Sequence, residues 1–366
     1  MSIYKTNTLP GRTVITAAEE KFLWFSGTDY LGMGHNEAFR TFLKDGLENY
    51  GNHFGSSRNN TLQLNVYDEA EGLFAAFTGS PSALIVSSGM WAGQLVMKEI
   101  ENLVHSRSET ERIKYHYAPR VHPALWGNYF KPETASWKNW AYDVVQEINN
   151  STTRTAHVIC TDATGSPMVE EFDFSIFNVL PPSQNTWLIV DESHALGITG
   201  DDGRGFWKSL DRISGINKII LSSLNKALGI PGGVILSNKL TINQLRRSPW
   251  FAGASPPAPA YMHALKMMLN TLLYAKLHSD LIQNIRYFEQ KLSAGKLFES
   301  IHNYPVFCSK NLALFDHLLE NKIMASCFSY PMPTDAPVTR IVISALHQKE
   351  DLDKLAEVCK LFISLG

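Results

Sequence analysis

Leu188-Ile189-Val190-Asp191-Glu192-Ser193-His194 and Ile219-Ile220-Leu221-Ser222-Ser223-Leu224-Asn225-Lys226-Ala227-Leu228-Gly229 share one construction, a short apolar run that passes abruptly into polar groups. A run without polar alternation reads as a strand covered on both faces, the usual state in a parallel sheet. The 35 positions from Asp191 to Lys226 leave room for a helical crossover between two such strands. Similar runs occur at 83–86, 114–117, 157–160 and 234–236, and longer helical or mixed stretches separate most of them. The pattern predicts an α/β fold with a largely parallel sheet. Its strands end in Ser87-Ser88-Gly89, Thr161-Asp162, Asp191-Glu192-Ser193-His194 and Ser222-Ser223. An open α/β sheet places its site beyond those carboxyl ends.

Outside this region, 259–296 reads as one long helix, 351–365 as a final amphipathic helix, and 312–315 and 339–343 as strands. The expected organisation is an N-terminal segment over 1–45, a large domain over 46–274 and a smaller α+β domain over 275–366. No repeat or low-complexity linker divides the chain. With 366 residues, 44% hydrophobic content and a formal net charge of -2, it can bury a sizeable core and has no excess of charge for a polyanion. Four scattered cysteines form no CxxC pair, which fits reduced thiols in a cytosol. Residues 1–20 lack an apolar core, and no run reaches the roughly 18 apolar residues of a membrane span. The expectation is a cytoplasmic protein with neither nucleic acid nor membrane as partner.

Asp191, His194 and Lys226 taken singly could be a helix cap, a turn residue and a solvated lysine. Together at strand ends they fit the needs of pyridoxal 5'-phosphate (PLP). That cofactor requires a lysine amine for its Schiff base and a carboxylate that keeps its pyridine nitrogen protonated. Lys226 and Asp191 are the candidates, and His194 could donate to the phenolate oxygen. Ser88-Gly89-Met90 lies between a strand and a helical stretch, where free N–H groups and the helix dipole favour a phosphate.

The run from Asp191 to Gly205, with His194, Gly197, Gly200, Gly203 and Arg204 in register, resembles the D-[DE]-[AS]-H-x-x-G-x-x-G-x-x-G-R-G signature of the α-oxoamine synthases, PLP enzymes of the aspartate-aminotransferase-like fold type I. Ser222 to Gly229 resembles their lysine loop, Asp29-Tyr30-Leu31-Gly32 their D-Y-L-G motif, and Tyr50-Gly51 through Gly55-Ser56-Ser57-Arg58 their Y-G…G-S-R segment. The resemblance implies a large domain with a mostly parallel seven-stranded sheet. It implies Lys226, His122, Asp191 and His194 as catalytic residues, and adds Ser88, Gly89, Met90, Asp162, Ser166 and Ser223 as cofactor contacts, with His122 stacking on the ring. It further implies a homodimer that condenses a small amino acid with an acyl thioester, from coenzyme A or a carrier protein, with loss of carbon dioxide. The compact length points within the group to a biotin-pathway reaction. An aminotransferase or other PLP reaction on the same scaffold, or a non-catalytic family member, are the alternatives.

The sequence departs from the family pattern in its substrate half. Tyr330 stands where the family has an arginine for the amino acid's carboxylate, and Tyr67 replaces a histidine. Gly253 and Ala254 replace a hydroxyl pair before Pro256-Pro257, leaving Ser255 one position along. Either Arg340 or Arg58 is therefore expected to supply the carboxylate contact, with Tyr330 at the substrate, or the natural amine substrate differs from alanine and glycine.

Overall fold

The computed structural model describes residues 3–151, 154–183, 185–292, 297–330, 332 and 334–365. Two short strands, β1 (Thr13–Ile15) and β2 (Lys21–Trp24), precede the main sheet. That sheet is built from β3 (Ser82–Val86), β4 (Arg112–Tyr117), β5 (Thr155–Asp162), β6 (Thr186–Asp191), β7 (Asn217–Ser223) and β8 (Gly233–Ser237), in the order β3-β8-β7-β6-β5-β4. The central strand β6 is buried along its whole length, which accounts for its unbroken apolar reading.

Strands β4 to β7 pair in parallel, and β8 is antiparallel to both neighbours. The reason is loop length. Only residues 224–232 join β7 to β8, too few for a crossover, so the chain turns straight back. The sheet has six strands among the described residues where seven are expected. Beyond β4 the chain carries Pro123, Gly127 and Pro132, which interrupt any extended run, and forms a single 3-10 turn, Pro123–Leu125, before the helix Trp137–Asn149. Aromatic rings gather beside β4. Trp126 stacks on Phe130 at 4.3 Å between centroids, and Phe130 meets Tyr117 edge-on at 5.2 Å. β4 is thus an edge strand with an aromatic cluster beside it.

The C-terminal part holds β9 (Glu299–Ser300), β10 (Val306–Ser309), β11 (Ile323–Met324), β12 (Ser326–Phe328) and β13 (Val338–Val342). Four form an antiparallel sheet in the order β12-β13-β10-β9, and β11 joins β2 in parallel, so N-terminal and C-terminal segments share a sheet. The strand expected at 312–315 is not there. Ala313–Glu320 is a helix, its apolar residues Leu314 and Leu318 falling four apart, and the strand lies earlier at β10. The long helix expected over 259–296 is two, Pro259–Asn270 and Leu273–Lys291, separated at Leu272, whose φ of 56° is left-handed. Residues 293–296 lie outside those described. The final helix is Lys349–Leu365. No helix among the described residues is long and apolar enough to cross a membrane.

Candidate active site

Asp162 closes β5, Asp191 closes β6 and Lys226 follows β7, so the parallel register of β5 and β6, in which Asp162 faces Asp191, sets the two carboxylates side by side. His122, Asp162, Ser166, Asp191, His194, Lys226 and Tyr330 line one small cavity, joined by Thr164 and Ser193. All seven are residues singled out from the sequence. Pro331, which follows Tyr330, lies outside the described residues.

The contacts order these groups. The His122 backbone N–H donates to the Asp162 carboxylate at 3.1 Å, and its Nδ1 lies 3.8 Å from Asp191 Oδ2 while accepting the Ala124 N–H at 3.1 Å. Asp191 Oδ1 accepts the Ser193 N–H at 2.9 Å. Ser193 Oγ accepts the Ser223 N–H at 2.7 Å, tying the ends of β6 and β7 together. Lys226 Nζ lies 3.0 Å from His194 Nε2, and His194 Nδ1 lies 3.1 Å from the Tyr30 hydroxyl. Tyr30 in turn accepts from Arg340 Nη2 at 3.1 Å, and Tyr304 donates its hydroxyl to the His194 carbonyl at 2.8 Å.

Burial sets the charges. It lowers the Lys226 amine from its ordinary value more than the carboxylates of Asp191 and Asp162 raise it, with Arg340 acting in the same sense as burial. Burial, then Lys226, Arg340 and His122, hold His194 well below its usual range, so it is a neutral imidazole at neutral pH. Asp162 is driven well above the carboxylate range by burial and by Asp191 beside it. A carboxylate held well above its ordinary range beside an amine of lowered basicity is a mark of a chemical site.

Ser88 caps the helix Gly89–His105, its Oγ accepting the Trp91 N–H at 3.1 Å. A Cβ on Gly89 would come within 2.6 Å of the Ser223 Cβ and 2.8 Å of its Cα, so only glycine lets the helix start approach Ser223. This cradle brings the phosphate candidates Ser88, Gly89 and Ser223 together at a helix N-terminus; Met90, next along, is half exposed. At the other end of the signature, Gly205 has φ +83°, and a Cβ there would meet Glu192 Oε2 at 2.5 Å. Glu192 Oε2 accepts the Phe206 N–H at 2.7 Å, which ties that loop to the end of β6. The buried lysine, the facing carboxylate and the glycine cradle fit PLP.

Arg58 is placed elsewhere. It pairs with Glu71 at 2.6 Å, donates to the Ile85 carbonyl at 3.1 Å and lies over the Tyr67 ring at 4.6 Å, so its guanidinium is consumed in the core and does not line the cavity. Tyr67 is fully buried and donates to the Pro257 carbonyl at 2.7 Å. Arg340 does not line the cavity either; it donates a hydrogen bond to Tyr30, which joins it to the cluster. The sequence reading missed Tyr30, Tyr304 and Ser193 as members of the site. Tyr30 sits inside the D-Y-L-G motif and could have been found there; Tyr304 had no local signal.

A family model described as aminotransferase class I and II matches residues 129–358. 8-Amino-7-oxononanoate synthase of Pectobacterium atrosepticum is 25% identical over 350 residues, which cover 92% of this chain and 88% of that one. Among solved structures, a high-resolution structure of SPT with PLP has a TM-score of 0.82 at 15% identity, covering 98% of this chain and 92% of that one. 8-Amino-7-oxononanoate synthase of Francisella tularensis has a TM-score of 0.68 at 20% identity, covering 94% of this chain and 98% of that one. The chain belongs to the aminotransferase class I and II family, PLP-dependent enzymes with the aspartate-aminotransferase-like fold type I. Within that fold it groups with the α-oxoamine synthases.

Proposed function

We propose that this enzyme condenses a small amino acid with an acyl thioester, releasing carbon dioxide and the free thiol, in the manner of an 8-amino-7-oxononanoate synthase of biotin formation. The observation that carries the reading is the Lys226 amine, buried, lowered in basicity and set among Asp191, Asp162 and His194 at the carboxyl ends of parallel strands. When bound, PLP supplies an electron sink for the bond broken at the amino acid's α-carbon. Lys226 would hold it covalently and would serve as the base that takes and returns the α-proton, its basicity lowered by burial. Asp191 would keep the pyridine nitrogen protonated, and Ser88, Gly89, Met90 and Ser223 would hold the phosphate. His122 would cover the ring face, positioned by Asp162 and with Ser166 beside it.

For the amino acid's carboxylate we infer Arg340. Its side chain is more than nine-tenths buried, its Nε has no partner, and it makes no ion pair with a carboxylate among the described residues. A buried guanidinium in that state favours an arriving anion. Tyr330, a neutral phenol whose ionisation burial pushes up, would line the substrate space beside His122, the two rings 6.4 Å apart. A homodimer is part of the proposal, with Ser255, exposed beside Pro256, offered to the neighbouring subunit's phosphate. Sedimentation at falling concentration tests it, and a fully active monomer would overturn it.

The decisive assay supplies alanine with pimeloyl coenzyme A and reads thiol release and aminoketone by mass. Alanine-dependent release supports the reading. Conversion of the cofactor to its pyridoxamine form by an amino acid alone, with no thioester consumed, would favour an aminotransferase.

A further inference from the structure

The edge of the main sheet carries a second cluster that the proposed chemistry does not use. His116 on β4 and His157 on β5 approach with Nε2 and Nδ1 3.0 Å apart, their rings 5.3 Å between centroids. Both are buried, at 7% and 3% exposure. They share a sheet face with Lys114, whose ammonium pairs with Glu147 of the helix Trp137–Asn149, so that helix lies over the cluster. Glu147 brings a carboxylate oxygen to the same point, and one atom from each of the three residues lies within 4.8 Å of the other two. The site is empty. His157 Nε2 also lies 2.9 Å from Ser151 Oγ. With Nε2–H donated to that hydroxyl, Nδ1 is left as a lone pair aimed at the cluster, the outer contact by which proteins commonly orient a ligating imidazole.

We propose that His116, His157 and Glu147 bind one divalent transition-metal ion, zinc in preference, which fastens the edge strand β4 to β5 and to the helix above them. Bonds of about 2.0–2.1 Å at tetrahedral angles require ligand atoms about 3.3 Å apart, so the two nitrogens already stand near that spacing and the half-exposed Glu147 has only to close. Two imidazoles and one carboxylate form a set for zinc, cobalt or nickel, and a poor one for calcium or magnesium, which take oxygen. Lys114 competes with the metal for Glu147. The ion is structural, because His157 stands near the start of β5 while the proposed chemistry lies at its far end, at Asp162. It serves the edge where the seventh strand is missing.

The test titrates chelator-treated holoenzyme with zinc, then with cobalt. One equivalent per chain is expected, with the visible bands of tetrahedral cobalt and a higher unfolding midpoint. Glu147→Gln, on a half-exposed side chain, and His157→Asn should each weaken binding at least tenfold without changing cofactor absorbance. Lys114→Gln should tighten it. Absence of saturable binding at one equivalent would overturn the proposal, as would binding that Glu147→Gln leaves unchanged while the protein remains folded.

Discussion

The carboxyl edge of β5, β6 and β7 lines the pocket directly, whereas the C-terminal sheet reaches it through Tyr330, just after β12, and through the Tyr30 contact of Arg340 on β13. At the first, Asp162, Asp191 and Ser223 end strands whose register is fixed by neighbours on both sides, and Ser193 fastens two of those ends together. At the second, Tyr330 follows a three-residue strand whose residues are only partly buried, and Arg340 meets the cluster through one tyrosine. A group placed by a buried sheet moves only if the sheet moves. A group placed by a short edge strand can change identity at little cost to folding. In the sequence reading, the expected departures from the resembled family's pattern fall at Tyr330 and Tyr67 on the recognition side and at Gly253 and Ala254 before Pro256.

The contrast predicts effects of different kinds. Lys226→Ala should lower thiol release by about 10²–10⁴, the usual worth of a positioned acid–base group, with the unfolding midpoint little changed. Equal loss of activity and stability would make Lys226 a structural residue. On the recognition side, Arg340→Gln should raise KM for the amino acid about tenfold to a hundredfold, and Tyr330→Arg should lower it by a similar factor, since a charge-assisted pair contributes about 1.5–3 kcal/mol. Tight alanine binding by the unaltered enzyme, weakened by Tyr330→Arg, would remove that side of the comparison. Tyr30→Phe strands His194 Nδ1 and Arg340 Nη2 without their shared hydroxyl, so denaturant unfolding should show a loss of about 1–3 kcal/mol.

The smallest effect is in pH. Burial holds His347 down to about 4, although the Trp24 carbonyl that accepts its Nε2–H and the nearby Asp351 pull it upward. Between pH 6.5 and 4 the unfolded chain binds a proton there that the folded chain refuses. Stability is therefore full above about pH 6.5 and falls as the pH drops, by up to about 1.4 kcal/mol per pH unit for this group. His347→Gln should flatten that slope in urea midpoints measured across the range. A slope that stays unchanged would assign the acid sensitivity to other groups.

Much of the cofactor side was legible because its signals are local: an apolar run ending in a carboxylate, glycines at fixed offsets, a lysine one crossover later. The missing strand beyond β4 was not, because a resemblance transmits strand number while Pro123, Gly127 and Pro132 act only on this chain. Residues 312–315 misled because a four-residue apolar run carries no period long enough to separate strand from helix. Arg58 was misplaced for another reason. Its partners Glu71 and Tyr67 lie along the next helix, and that they neutralise it appears only when the helix Asn65–Thr78 is folded against it. Arg340's dependence on Tyr30 spans 310 positions, which no local pattern encodes.

The central claim is that Lys226 holds the cofactor. Reducing the holoenzyme with borohydride, digesting it and locating the added cofactor mass tests this without reference to substrate. The modification is expected on the peptide containing Lys226 and absent from the Lys226→Ala protein. A modification on any other lysine, or one that persists when Lys226 is removed, would contradict the account.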